Sequence, residues 1–476
     1  MVNLTESEFN SKKKLNAIFP IFIKINGDEL TPVNVFYKLC GKYKFLLESA
    51  SNASDGGRYS FMGSKPYMRI SSRGENITII EGEKTKKVKG KILDYAKEHL
   101  LKSYKRLDLE LPFIGGAIGY IGYDVIRQYE KLPDSNPDEL NLPEASLLFY
   151  SDFICFDHLK NTVLLIHNVF PTEDVDYNTV LVKLNELKTL INEERPSHKL
   201  TKVPQNKQII SNFEEDSFSS IVNKAKQYIT SGDVFQVVLS QRLKIKNNID
   251  SFEVYRDLRR SNPSPYMFYI DFEEYKVAGA SPESLVKVKK DKVITNPIAG
   301  TRPRGKNSKE DQKLAEELLK DEKERAEHLM LVDLGRNDIG RISEFGSVKL
   351  DKFMEVEMFS HVMHICSKVS GTLRSGLNCF SALSSCMPVG TVSGAPKIRA
   401  MEIIDELENV RRGIYSGAIG YFSHDGDMDT CIAIRTIVFK DDFAYVQAGA
   451  GIVYDSVPEC EYAETLNKTM ALTEVL

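Results

Sequence analysis

Two pairs of glutamates are the first residues whose type and spacing could do chemistry. Glu324 and Glu327 stand three apart in ERAEHLMLVDLGRND, and Glu461 and Glu464 repeat that spacing in ECEYAETLNK, with Lys468 one turn further on. A separation of three places both carboxylates of a pair on one helix face. Two such faces offer an all-oxygen cage for a hard divalent ion; Mg²⁺ takes few protein carboxylates, several waters and substrate oxygens. A solvated helix surface has the same spacing, so each pair alone leaves both readings open. Gly449 and Gly451, in QAGAGI, would let backbone amides converge on a carboxylate as an anion nest. Arg435 stands among apolar neighbours in the strand-like DTCIAIRTIVF, and its planar guanidinium suits a bidentate grip on a carboxylate. His364, in FSHVMHICSKVSG, alternates with apolar residues as on a strand, where it is either a satisfied core residue or a catalyst. Together these residues predict a Mg²⁺ site beside anion-binding devices, for a small ligand with more than one carboxylate.

Helices and strands must position these groups. A helical run is predicted from Lys309 to Val332, carrying the first glutamate pair, and a final helix carries the second. In SCMPVGTVSGAPKIRAMEIIDEL (Ser385–Leu407), a glycine-rich loop leads into a helix that starts at Pro396, with Ile398, Met401, Ile404 and Leu407 on its buried face. Free amides at that start suit an anion, and the glycines at 390 and 394 suggest close approach of a ligand. A polar stretch, Glu193–Asn206, reads as a linker between an N-terminal region (1–193) and a second part (207–476). The pentapeptide GAIGY occurs at Gly116–Tyr120 and Gly417–Tyr421, each in a strand-like segment, which fits two sheets built on a related plan. Uneven alternation of strands and helices predicts α+β rather than a doubly wound parallel sheet.

The bulk numbers exclude several classes. With 476 residues, 42% hydrophobic and 27% charged at a net charge of −4, the chain is long enough for a large core and has no electrostatic footprint for nucleic acid. The N-terminus lacks the order of a signal peptide, and no apolar run reaches membrane-span length. Seven cysteines are scattered without a CxxC pair, as expected of reduced thiols in a cytoplasm.

Four motifs then converge: PIAGTRPRG (Pro297–Gly305), ERAEHLMLVDLGRND (Glu324–Asp338), PVGTVSGAPK (Pro388–Lys397) and QAGAGIVYDSVPECEYAET (Gln447–Thr465). They resemble the chorismate-utilising enzymes, and within them the anthranilate synthase component I branch, from about Phe45 to the C-terminus. The resemblance implies a complex α/β sandwich of two large antiparallel sheets, with the N-terminal region interleaved with the catalytic part. It implies Glu327 and Glu464 as direct Mg²⁺ ligands, and Glu324 and Glu461 as holders of the ion's waters. It implies chorismate contacts from Gly300, Thr301, Thr391, Tyr415, Arg435, Lys468 and the Gly449–Gly451 backbone. Glu283 is implied as the acid at the departing C4 hydroxyl, and His364 as serving the later elimination of pyruvate. Gln236 stands where the water-adding members carry a lysine base, and Ala299 where aminodeoxychorismate synthases carry the lysine of PIKGT; both choices select amination to anthranilate. The alternatives are aminodeoxychorismate synthase component I and a non-catalytic binding subunit.

The same resemblance implies a separate glutamine amidotransferase subunit as ammonia source, in a heterotetramer, and feedback inhibition by tryptophan. FLLESA (Phe45–Ala50) and NPSPYMF (Asn262–Phe268) resemble the effector-binding signature. Leu47, Glu48, Ser49, Asn262, Pro265, Tyr266, Met267 and Cys431 are the residues implied. Glu48 would pair with the ammonium, Ser49 would hydrogen-bond, and Pro265, Tyr266 and Met267 would wall an indole. The chain contains no tryptophan, which would let it be made during tryptophan starvation.

Overall fold

The segment ASLLFY (Ala145–Tyr150) has no polar face, so a strand there needs cover on both sides. In the computed structural model of the chain, which describes residues 2–50, 57–107, 109–193, 208–359 and 362–476, it has that cover. Leu148 and Tyr150 enter a core between two sheets, while Ala145, Leu147 and Phe149 enter a second core under helices. The same alternation runs through most strands, and four layers result: helices, sheet, sheet, helices.

Among the described residues each sheet has twelve strands, all paired antiparallel. Both sheets are shared between the two parts of the sequence. In the first, strands from residues 19–169 meet later strands where Phe45–Glu48 pairs with Tyr266–Asp271, Glu48 opposite Met267. In the second, the meeting line is Gly116–Ile121 against Ala418–Ser423. The two GAIGY copies therefore lie in one sheet, as direct partners with Gly119 opposite Gly420, and not in two sheets of related plan. The reason is steric. A Cβ on Gly119 would sit 2.0 Å from the Ser146 carbonyl and one on Gly420 2.1 Å from that of Asp429, so neighbouring backbones close over both positions.

Three further expectations are corrected. The run from Lys309 to Val332 is two helices, Ser308–Lys320 and Glu322–Gly340, separated at Asp321. Asp321 ends the first and caps the second, accepting from the amides of Lys323 (3.1 Å) and Glu324 (3.2 Å). DTCIAIRTIVF is not one strand: Met428–Ile432 belongs to the second sheet and Thr436–Lys440 to the first. Arg435 adopts a left-handed φ of 50° at the crossing, which no continuous strand could accommodate. Pro396 caps the helix Lys397–Leu407 rather than opening it. The linker residues from 194 to 206 lie outside the described residues.

Candidate active site

The chain also steps between the sheets at a second place, from Tyr275–Ser281 to Ser284–Lys289, and Glu283 stands there. The two crossings are hydrogen-bonded side by side. The Ile432 amide donates to the Glu283 carbonyl (3.0 Å), and the Ala280 amide to the Arg435 carbonyl (3.0 Å). Backbone that leaves a ladder frees its side chain from the sheet's alternation, so both crossings present a functional group to the same region.

Around Glu283 the chemistry is that of an acid. The Thr391 hydroxyl donates to Glu283 Oε1 at 2.9 Å from a short turn, Gly390–Val392. Burial pushes the Glu283 carboxyl up to about 7, against the Thr391 hydrogen bond and the Lys468 charge, which pull it down. Lys468 donates to the Gly449 carbonyl (3.0 Å) and pairs with Glu464 (2.6 Å). The Arg435 guanidinium donates to the Lys468 carbonyl. The Tyr415 hydroxyl lies where a Cβ on Gly449 would come within 3.0 Å.

The expected nest at Gly449 and Gly451 is corrected. Both lie in the strand Phe443–Ile452, opposite Ser240 and Val238. The amides of those partners go elsewhere, Ser240 N–H to Glu408 and Val238 N–H to Ser393. In an extended strand N–H and C=O of one residue point the same way, so the Gly449 and Gly451 amides follow the Gly449 carbonyl away from that neighbour. They form two parallel donors on a free edge, not a converging pair. The glycine loop is corrected in the same spirit: its glycines make room for the protein itself. A Cβ on Gly394 would sit 2.2 Å from the Gln236 carbonyl, and one on Gly390 2.5 Å from Leu334.

His364 lies opposite Thr301 across the strands Val362–Thr372 and Ile298–Pro303. Its Nδ1 is 2.9 Å from the Gly300 carbonyl and 3.1 Å from Thr301 Oγ1. A carbonyl only accepts, so Nδ1 carries the proton and Nε2 keeps its lone pair. Burial holds the imidazole below its usual range, against the Gly300 hydrogen bond. Gly300 needs its glycine: φ is +68°, and a Cβ would press on Glu324 Oε2 at 3.1 Å.

The four glutamates come from the helices Glu322–Gly340 and Pro458–Thr473. Burial raises the Glu327 carboxyl, the Gln236 amide lowers it, and the charges of Glu324 and Glu464 raise it again. Burial also raises Glu461, with Glu464 adding to the effect. Among the described residues no three His, Cys, Asp or Glu side chains are grouped closely enough to hold an ion as they stand. Mg²⁺ does not require three: it is commonly held by one or two carboxylates with waters and substrate oxygens. The donor set fits that pattern, being hard oxygen throughout, with like charges that a cation would relieve. Gln236 Oε1, buried without a partner among the described residues, lies in the side chain whose amide reaches Glu327 Oε1 at 3.4 Å.

Sequence reasoning missed the cations that anchor the helix Glu322–Gly340. Arg302 pairs with Glu324 (3.1 Å) and the capping Asp321 (2.8 Å) at its start, and Lys397 pairs with Asp338 (2.7 Å) near its end. Both cations lie inside the quoted motifs, which was the available signal.

At the meeting line of the first sheet, Leu47, Glu48 and Ser49 come beside Tyr266 and Met267, and the Ala50 amide donates to the Ser264 carbonyl (3.1 Å), drawing in the Asn262–Pro265 loop. Glu48 is not free for an ammonium, contrary to expectation: Arg259 takes both its oxygens (2.8 and 3.0 Å) and the Tyr255 hydroxyl donates to one (2.8 Å). The Tyr266 hydroxyl donates to Asp429 (3.0 Å), two residues from Cys431 on the strand Met428–Ile432. Cys431 is buried in the core between the sheets.

A family model described as chorismate binding enzyme matches residues 43–474. The chain is 46% identical over 473 residues to anthranilate synthase component 1 of Acetivibrio thermocellus, covering 96% of this chain and 95% of that one. It is 45% identical to the Aquifex aeolicus protein of the same name, covering 100% and 98%. The crystal structure of anthranilate synthase component I from Streptococcus pneumoniae superposes with a TM-score of 0.82 at 41% identity, covering 94% and 99%. The menaquinone-specific isochorismate synthase of Escherichia coli shares the fold, with a TM-score of 0.74 at 19% identity, covering 99% and 98%. The chain belongs to the chorismate-binding enzymes, in their anthranilate synthase component 1 branch.

Proposed function

We propose that this chain converts chorismate to anthranilate and pyruvate, adding ammonia at C2 and expelling the C4 hydroxyl. The observation that carries the chemistry is Glu283, whose carboxyl is pushed up to about 7 by burial and so can hold a proton near neutral pH. Hydroxide leaves poorly; protonated by Glu283, it departs as water while the nitrogen lone pair forms the new bond at C2. Arg435, Tyr415 and the outward amides of Gly449 and Gly451 bind the enolpyruvyl carboxylate, with Lys468 supplying a further cation. Loss of the C2 proton and of the side chain as pyruvate then aromatises the ring. His364, neutral with a lone pair at Nε2, lies across from Thr301 to serve that second step. Glu327 and Glu464 would hold Mg²⁺ directly and Glu324 and Glu461 its waters; when bound, the ion orients the ring carboxylate and draws electrons from the ring.

Ammonia is the nucleophile because Gln236 offers no base for water. A glutamine amidotransferase subunit supplies it, in keeping with the name component 1 carried by the relatives. Tryptophan, bound at the meeting line of the first sheet, inhibits. Arg259 already neutralises Glu48 there, so the effector's ammonium would have to share that carboxylate.

Steady-state turnover of chorismate with ammonium and Mg²⁺, read by anthranilate fluorescence, tests the reading. Product requires both additions, and Glu327→Gln abolishes it while leaving circular dichroism unchanged. Consumption of chorismate without fluorescence, or full turnover by Glu327→Gln, would overturn it. Glutamine replaces ammonium only when the second subunit is present.

A further inference from the structure

Arg412 is 2% exposed, and all five of its N–H donors are engaged. Nε donates to Glu408 Oε2 (2.9 Å), and Nη2 to Glu408 Oε1 (2.6 Å) and the Val238 carbonyl (2.7 Å). Nη1 donates to the Val392 carbonyl (2.6 Å) and to Ser416 Oγ (3.4 Å). Glu408, itself 4% exposed, also accepts from the amide (2.8 Å) and hydroxyl (2.7 Å) of Ser240. The guanidinium lies over the Tyr123 ring at 4.9 Å and the Tyr415 ring at 5.6 Å.

One planar fork thus ties three pieces of the site that are far apart in sequence. Val392 follows Thr391 in the turn that donates to Glu283. Val238 and Ser240 lie opposite Gly451 and Gly449. Tyr415 reaches toward Gly449. A buried ion pair earns little stability over apolar packing, so its value lies in geometry. We propose that Arg412, oriented by Glu408, is a positioning residue that sets the Thr391 turn against Glu283 and Tyr415 against the glycine strand. It touches neither substrate nor reacting atoms, and it acts through Thr391. The inference rests on the reading of Glu283 as the acid.

A lysine keeps the charge but cannot reproduce the fork. The Glu283 titration, followed by carboxyl difference infrared spectroscopy of the full chain against Glu283→Gln, separates positioning from mere structure. Lys468 and Cys366 are the other titratable groups that face Glu283, and both stay unchanged in every variant. Thr391→Val removes the hydroxyl and moves the midpoint upward. Arg412→Lys moves it the same way, adds nothing further when combined with Thr391→Val, and lowers kcat roughly tenfold or more. Where Arg412→Lys does not fold, Ser240→Ala, which loosens Glu408, gives a smaller shift in the same direction. A midpoint that moves in Thr391→Val but not in Arg412→Lys, or not in Ser240→Ala where the lysine variant does not fold, overturns the positioning role. A midpoint that moves in no variant overturns it too, by removing the pair to be positioned, while chorismate turnover by the wild-type chain is judged separately by fluorescence.

Discussion

Glu283 and His364 divide the proposed reaction between an acid and a lone pair, and each makes a separate demand on pH or product. Glu283 must be protonated to act, and burial lifts its carboxyl from 4.5 to about 7. At fixed free ammonia, kcat/KM for chorismate is therefore expected to hold below about 7 and fall tenfold per pH unit above it. Thr391→Val removes a bond that favours the charged form, so the falling limb moves to higher pH; a limb that moves down or stays would remove Thr391 as the partner of that acid. His364→Met is expected to consume chorismate and release an aminated, non-aromatic intermediate, visible by chromatography. Equal loss of consumption and of anthranilate would place His364 in the first step or in the fold. The resemblance singled these residues out from local sequence alone. Their environment was not legible there: nothing local says that Arg259 would occupy Glu48, or that Gln236 would close over Gly394.

Single elements were read well where a cap or a period marks them and poorly where pairing decides. The final helix, Pro458–Thr473, followed from its spacing, whereas the break at Asp321 hides in a helical run because aspartate can end one helix while capping the next. Period-two alternation found the strands yet carried no information on which sheet each joins, hence the misreading of DTCIAIRTIVF. A buried knot joins the hairpin Asp152–Asp157 and Thr162–Val169: His167 lies 2.8 Å from Asp152 and 3.3 Å from Glu173, and Asp152 also takes Lys183. Against burial, which lowers it, the Asp152 carboxylate accepting from Nδ1 and the Glu173 carboxylate beside Nε2 raise the His167 imidazole from 6.5 to about 9. A raised folded value stabilises fully below 6.5, and that contribution is lost as pH rises through 9. Thermal stability is expected to drop between pH 7 and 9.5 by the equivalent of about 2 kcal/mol more in the wild type than in His167→Gln. Matching curves for the two proteins would show the knot to be electrostatically neutral. At the meeting line of the first sheet, Ser49→Phe puts a bulky ring next to the Glu48–Met267 pair and is expected to relieve tryptophan inhibition while leaving turnover without tryptophan within about twofold. Saturating tryptophan without effect on the wild type would remove the effector site altogether.

At the scale of the whole molecule, the division at residues 193–207 describes the sequence but not the architecture. Both sheets are completed only when early and late strands pair, along Phe45–Glu48 with Tyr266–Asp271 and along the two GAIGY segments. That interleaving was implied by the family resemblance, whereas the repeated pentapeptide pointed to two related sheets, because partners so distant in the chain leave no periodic trace. It follows that the polypeptide is in effect an obligate heterodimer whose two subunits happen to be translated as one. Cut between 194 and 207, the pieces 1–193 and 208–476 would each expose unpaired strand edges and aggregate alone. Made together, they are expected to co-purify through a tag on either piece and to recover anthranilate fluorescence; a soluble, active 208–476 piece by itself would refute this. Evolution of such a chain is constrained accordingly: neither half can be duplicated, swapped or lost without stranding the edges of the other.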